Sequence, residues 1–114
     1  MKLHGTGLLV RLYLGESDHW HGKPLYQAII ERLRERGLAG ATVLRGIEGF
    51  GARQHLHATR ILSLSEDLPI LIEAVDTEEK VRAVLPELDN MLGDGLITLE
   101  KVEVMTYRAA PPTD

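Results

Sequence analysis

Two helical stripes, each lying between strand-like apolar runs, predict an α+β sandwich with the element order βαββαβ. Residues Leu8–Leu14 alternate, with Leu8, Val10, Leu12 and Leu14 on one face and Leu9, Arg11 and Tyr13 on the other. Leu25, Ala28, Ile29 and Leu33 recur at helical spacing, as do Val81, Val84, Leu85, Leu88 and Leu92. The order of these pieces suits a split-βαβ, ferredoxin-like arrangement: a four-stranded antiparallel sheet with two helices on one face. Right-handed βαβ crossovers leave few other topologies. At 114 residues the chain is one domain. Its core is expected to remove about 65% of the unfolded chain's surface from water. The domain is placed at 1–108, and 109–114, with two prolines, is read as a loose tail.

Each element has a local cause. After the first strand, Gly15–Gly22 reads as a loop, and Pro24 suits a first helical turn, where its missing N–H costs nothing. Gly37 supplies the stop of that helix. Thr42–Ile47 is the second strand and Ile70–Val75 the third. Arg60–Leu64 would extend the third across a break at Glu66–Pro69. Asp76 or Thr77 caps the second helix, Asp76 with Glu79 approximating a capping box. Pro86 interrupts that helix, and an interior proline costs about 3 kcal/mol, so a kink or two short helices meeting at Leu85–Pro86 is expected. The last strand, Leu96–Tyr107, begins with Ile97 and Leu99 inward and then changes phase to Val102 and Val104. That slip implies a bulge, or a strand passing from one packing surface to another. With helices on one face only, Leu9 and Tyr13 point to an uncovered side, and several apolar residues there suggest oligomerisation.

Composition narrows the function classes. There are no cysteines, which excludes disulfides, thiolate metal sites and cysteine nucleophiles. The start, MKLHGTG, has no apolar signal segment, and no run approaches the ~20 residues that span a bilayer, so a cytoplasmic protein is expected. A net charge of −4 and five aromatic residues (one Trp, three Tyr and one Phe) argue against a nucleic-acid partner. Arg45, Arg53 and Arg60 nevertheless gather in or beside one glycine-bearing segment, where a small anion could find a positive pocket.

That segment is Gly40–Arg60. The run Thr42–Ile47 ends in Gly49-Phe50-Gly51 and enters a polar, histidine-bearing stretch. Glycines let backbone amides approach a ligand closely, and amides gathered in a turn form an anion-binding concavity. A second glycine turn, Gly93-Asp94-Gly95, opens the last strand. These two turns are the places to look for bound phosphate; each is equally compatible with an ordinary tight turn.

Placed on this topology, the chain resembles the PII superfamily of trimeric signalling proteins. Thr42-Val43, leading to Gly49-Phe50-Gly51 and Arg53-Gln54, resembles the strand that carries the nucleotide site into the effector loop. Leu68-Pro69 with Leu71-Ile72-Glu73 resembles the returning strand, and Gly93-Asp94-Gly95 with Ile97 the turn that closes over phosphates. A nearer resemblance is to the PII-like domain of unknown function 190 family. Gly15-Glu16-Ser17-Asp18, His21 to Tyr26, Gly40 to Gly46 and Leu96 to Val102 all read like its pattern, over roughly residues 7–104.

The resemblance implies a homotrimer with an adenine nucleotide in the clefts between subunits. Carried over, the contacting positions are Gly49, Phe50 and Gly51, with Gly93, Asp94 and Gly95 opposite, and Arg53 and Arg108 as basic contacts. Leu96 stands where PII proteins have a lysine, and Arg108 stands alone where they have alternating arginines. Fewer cations favour AMP or ADP over ATP as the ligand. The stretch Gly51–Arg60 would report occupancy to a partner, a membrane transporter or a cytosolic enzyme.

The remaining chemistry is sparse. His19 with His21, and His55 with His57, could grip a metal in an extended chain, but no third ligand follows at a telling spacing, so no metal is expected. A divalent-metal-binding trimer is the rival reading. Lys23 beside a helix N-terminus could add a phosphate contact or serve only an exposed capping turn. Trp20 could be a contact residue or pack back on its own domain. No catalytic set emerges, and slow nucleotide hydrolysis is the one enzymatic version worth testing.

Overall fold

The computed structural model describes residues 3–51 and 67–110. A long strand, β1 (Leu3–Gly15), is followed by a two-residue hairpin, β2 (His19–Trp20) and β3 (Lys23–Pro24), and then by α1 (Leu25–Glu35). β4 (Thr42–Arg45), β5 (Pro69–Asp76), α2 (Glu78–Met91) and β6 (Leu96–Tyr107) complete the chain. The main sheet has four strands in the order β4-β5-β1-β6, each neighbouring pair antiparallel. This is the expected ferredoxin-like α+β sandwich. Arg60–Leu64 lies outside the described residues.

Register decides which side chains see the helices, because cross-strand partners share a face. Val10 pairs with Ala74 and Leu99, and Leu12 with Ile72 and Ile97. Leu8, Val10, Leu12, Ile70 and Ile72 are buried under Leu25, Ile29 and Leu33 of α1 and Val81, Val84 and Leu88 of α2. On the opposite face, Leu9 pairs with Val75 and Glu100, and Arg11 with Glu73 and Thr98.

The helix ends follow their local chemistry. Pro24 sits at the N-cap rather than inside the first turn, and Leu25 N–H donates to the Asp18 carbonyl at 2.8 Å. At the other end Gly37 takes φ +80°, with Gly37 N–H bonded to Arg34 O and Leu38 N–H to Leu33 O. That pair of bonds is a Schellman ending. Of the two candidate caps of α2, Thr77 takes the position, its side chain accepting from Lys80 N at 3.2 Å. The Asp76–Glu79 capping box does not form. Asp76 is fully buried; its Oδ2 accepts from Ala39 N at 2.8 Å and its Oδ1 from Thr77 N at 2.7 Å. Glu87 of α2 takes hydrogen bonds from Arg36 and Arg32, tying the helices together; the Arg36 bond leads in holding its carboxyl below the usual glutamate range.

The structure also decides boundaries and alternatives left by the sequence. The second strand ends at Arg45, not Ile47: Gly46 N–H still bonds its register partner Pro69 O, but Pro69 has no N–H to return the bond. The stretch Gly15–Gly22 contains β2, paired with β3. Of the two alternatives at Pro86, a kink or two short helices, the second is not formed: α2 is one continuous element. Pro86 and Arg82 face solvent while Val81, Val84, Leu88 and Met91 are buried, so water can satisfy the Arg82 carbonyl that proline leaves unbonded. Pro86→Ala should restore that bond and raise stability by about 1–2 kcal/mol after the unfolded-state effect is subtracted, read as a higher denaturation midpoint. Finally, β6 keeps one register against β1 from Leu96 to Val104, so no bulge underlies its phase change. Ile97 and Leu99 lie on the helix side and Val102 and Val104 on the open side: the strand moves its apolar residues between surfaces. The register shift occurs further on, opposite Leu3 and Gly5.

Candidate functional site

The first glycine turn leaves β4 over a proline platform. Gly46 N–H donates to Pro69 O at 2.7 Å. A Cβ on Gly46 would stand 2.8 Å from Pro69 Cγ, closer than side chains approach, and one on Gly49 would make a tight 3.1 Å contact with the same atom. Phe50 follows with 71% of its surface exposed, and Gly51 has open space around it. Arg53 lies outside the described residues, as do His55, His57 and Arg60.

The second turn, Gly93-Asp94-Gly95, joins α2 to β6. Gly95 adopts φ +157°, and a Cβ there would collide with the Tyr13 carbonyl oxygen and lie 2.9 Å from Leu92 Cδ1. Gly93 has no such neighbour. Both turns lie at one end of the sheet but on its two outer strands, β4 and β6. With β5 and β1 between, strand spacing separates them by about 14 Å. A single chain therefore does not bring the two turns together.

Among the described residues, the cations near this end already have acidic partners. Arg45 is paired with Glu16 at 2.7 Å, and Lys23 with Glu31 at 2.6 Å. Asp18 accepts from Gly15 N and Asp67 from Ser17 N, both at 3.0 Å. What these turns offer an anion is chiefly backbone N–H groups. The α1 N-terminus is part-used, since Asp18 takes the Leu25 N–H. Trp20 packs against the core and stacks on His21 at 4.3 Å. No group of three His, Cys, Asp or Glu among the described residues is placed to hold a metal ion.

Arg108 stands at the other end of the sheet, its guanidinium on Thr106 Oγ1. There the open face carries a groove of about 660 Å³. Leu9, Val75, Val102 and Val104 contribute apolar walls; Thr42 and Glu73 contribute polar groups, and Gly40 and Tyr107 close one end. Glu73 is also bonded to Arg11 at 2.9 Å, a contact that raises the guanidinium above its usual value. Apolar walls with a few convergent polar groups are the usual make-up of a small-molecule site.

A family model matches residues 7–104 of this chain: DUF190, described as an uncharacterized ACR. The chain belongs to the DUF190 family. A UPF0166 protein of Aquifex aeolicus is 41% identical over 97 residues, covering 85% of this chain and 91% of that protein. A UPF0166 protein of Methanocaldococcus jannaschii is 38% identical over 97 residues, covering 84% and 89%.

Solved structures similar to this chain include PII-like proteins. A PII-like signaling protein of Thermus thermophilus superposes with a TM-score of 0.65 at 18% identity, over 89% of this chain and 91% of that one. CPII of Thiomonas intermedia, a nitrogen regulatory PII-like protein solved with ADP, AMP and bicarbonate, gives 0.64 at 17% identity, over 87% and 94%. The DUF190 chain therefore has a PII-like fold. Sequence reasoning singled out the glycine turns but missed the groove. Its residues come from four strands and the loop before β4, and only the register unites them. A signal was present: Gly40-Ala41-Thr42 and Glu73 both fall within stretches that carried the family resemblance.

Proposed function

We propose that this DUF190 protein is a PII-like regulator that binds AMP or ADP between the subunits of a homotrimer. The observation that carries this reading is the division of the binding groups between opposite ends of one sheet. Along β1, Leu9 in the groove and Gly15 beside the turns are about 20 Å apart. A nucleotide touching both sets of groups must therefore lie between two copies. One subunit supplies the amides of Gly49-Phe50-Gly51, and Gly93-Asp94-Gly95 comes from an outer strand brought alongside. A neighbour supplies the groove for the base and Arg108 for the phosphates. Arg53 adds a second cation. The nucleotides bound by CPII support the ligand class. Occupancy is reported through Gly51–Arg60 to a protein partner; a coupling of ~1–3 kcal/mol makes a useful switch.

The test joins assembly to ligand. The purified protein should sediment as a trimer at micromolar concentration. AMP or ADP at a hundredfold excess over its dissociation constant should stabilise it by ~2.7 kcal/mol per site, read by thermal shift. Gly51→Val, in open space, should remain folded and trimeric and lose that shift. A monomer, or no shift with AMP, ADP or ATP at millimolar concentration, would sink the reading. Stoichiometric metal by elemental analysis would then put the histidine pairs in front.

A further inference from the structure

The loop before β4 is held from two sides at a single residue. From below, buried Asp76 accepts the Ala39 N–H. From above, the Tyr107 hydroxyl donates to the Ala39 carbonyl at 2.5 Å. The next residue, Gly40, lines the groove, and a Cβ there would come within 3.2 Å of the Tyr107 oxygen. Tyr107 is the last residue of β6, and Arg108 follows it directly. One side chain thus fastens the strand end that carries Arg108 to the loop that lines the groove.

We infer that Tyr107 is a positioning residue that locks the base groove and the Arg108 phosphate contact into one unit. This rests on the nucleotide reading above and adds to it the means by which base and phosphate recognition are kept in register. The part of β6 that needs fastening is identifiable. β1 outruns β5 beyond the Leu8–Asp76 pair, so along residues 102–107 of β6 the sheet is only two strands wide, and a register shift follows Val104. Such a two-stranded extension is weakly held unless something anchors its tip. The Tyr107 hydroxyl is that anchor, and glycine at position 40 leaves room for it.

The experiment compares adenosine with ADP on wild type, Tyr107→Phe, Arg108→Ala and the double variant, by titration calorimetry on trimeric protein. Arg108→Ala should weaken ADP about tenfold and leave adenosine unchanged. Tyr107→Phe keeps the ring and loses the tether; it should weaken ADP about fivefold and adenosine by less than about twofold. In the double variant ADP should bind within about twofold of Arg108→Ala alone, because the tether acts chiefly through that arginine. Hydrogen exchange at Gly40 and Ala41 should quicken in Tyr107→Phe. A wild-type ratio of ADP to adenosine affinity in Tyr107→Phe, or additive effects in the double variant, would overturn the inference while leaving nucleotide binding intact. Wild-type protein that binds neither ligand would instead defeat the underlying reading.

Discussion

Gly95→Val should unfold much of the population rather than simply empty a binding site. The new Cβ would overlap the Tyr13 carbonyl oxygen, which belongs to the central strand, and crowd Leu92 Cδ1. Neither neighbour is the free end of an exposed side chain. Overpacking of this kind, together with a backbone angle that a β-branched residue avoids, should cost about 3 kcal/mol or more. Gly93→Ala, two residues away in open space, should stay within about 0.5 kcal/mol of wild type. Urea titration of the two variants checks the pair, and equal midpoints would disprove the steric account. Loss of nucleotide binding in Gly95→Val would report a damaged fold, so Gly51→Val is the informative change at the site.

Asp76→Ala is expected to be the other severe substitution. The carboxylate is wholly buried and receives two backbone N–H groups, from Ala39 and from Thr77. Removing it leaves both N–H groups without their acceptor in part-buried positions, at about 1–3 kcal/mol each. A fall of roughly 3 kcal/mol should lower the melting temperature by about 10–20 °C. Asp76→Asn keeps one side-chain acceptor but turns an amide N–H₂ toward the second donor, so it should fall between alanine and wild type. If alanine melted within about 1 kcal/mol of wild type, the buried bonds would carry little net stability.

The fold was legible in the chain because its signals are local. Alternation along Leu8–Leu14 and the stripes of α1 and α2 each need only a few consecutive residues, and the ends of β6 fell where they were expected. The phase change between Leu99 and Val102 was visible as well, but one sequence could not choose between a bulge and a change of face. Pairing of Leu9 with Glu100 and Gly7 with Val102 in one register chooses the second. The β2–β3 hairpin escaped notice because its strands are two residues long and alternation has no room to appear. Pro86 left its alternatives open for a different reason: its penalty depends on whether the freed carbonyl meets water, and exposure is a tertiary property. The site divides along the same line. Glycine turns announce themselves in sequence. The groove draws Leu9, Thr42, Glu73 and Val102 from distant strands.

The strand order also dictates when this protein can fold as it leaves the ribosome. β1 is made first and lies in the middle of the sheet, yet neither of its neighbours is close in sequence. Arg11 reaches Glu73 across 62 residues and Glu100 across 89. Through most of synthesis β1 therefore has two unsatisfied edges and an apolar face with nothing opposite. Contacts this remote close slowly, since loop entropy must be met before pairing returns any energy. Until β6 emerges, the nascent chain carries an open strand of alternating leucines and valines, a surface that other unfinished copies could pair with. The vulnerable period for aggregation is thus translation itself, and a chain truncated before Leu96 should collect in the insoluble fraction.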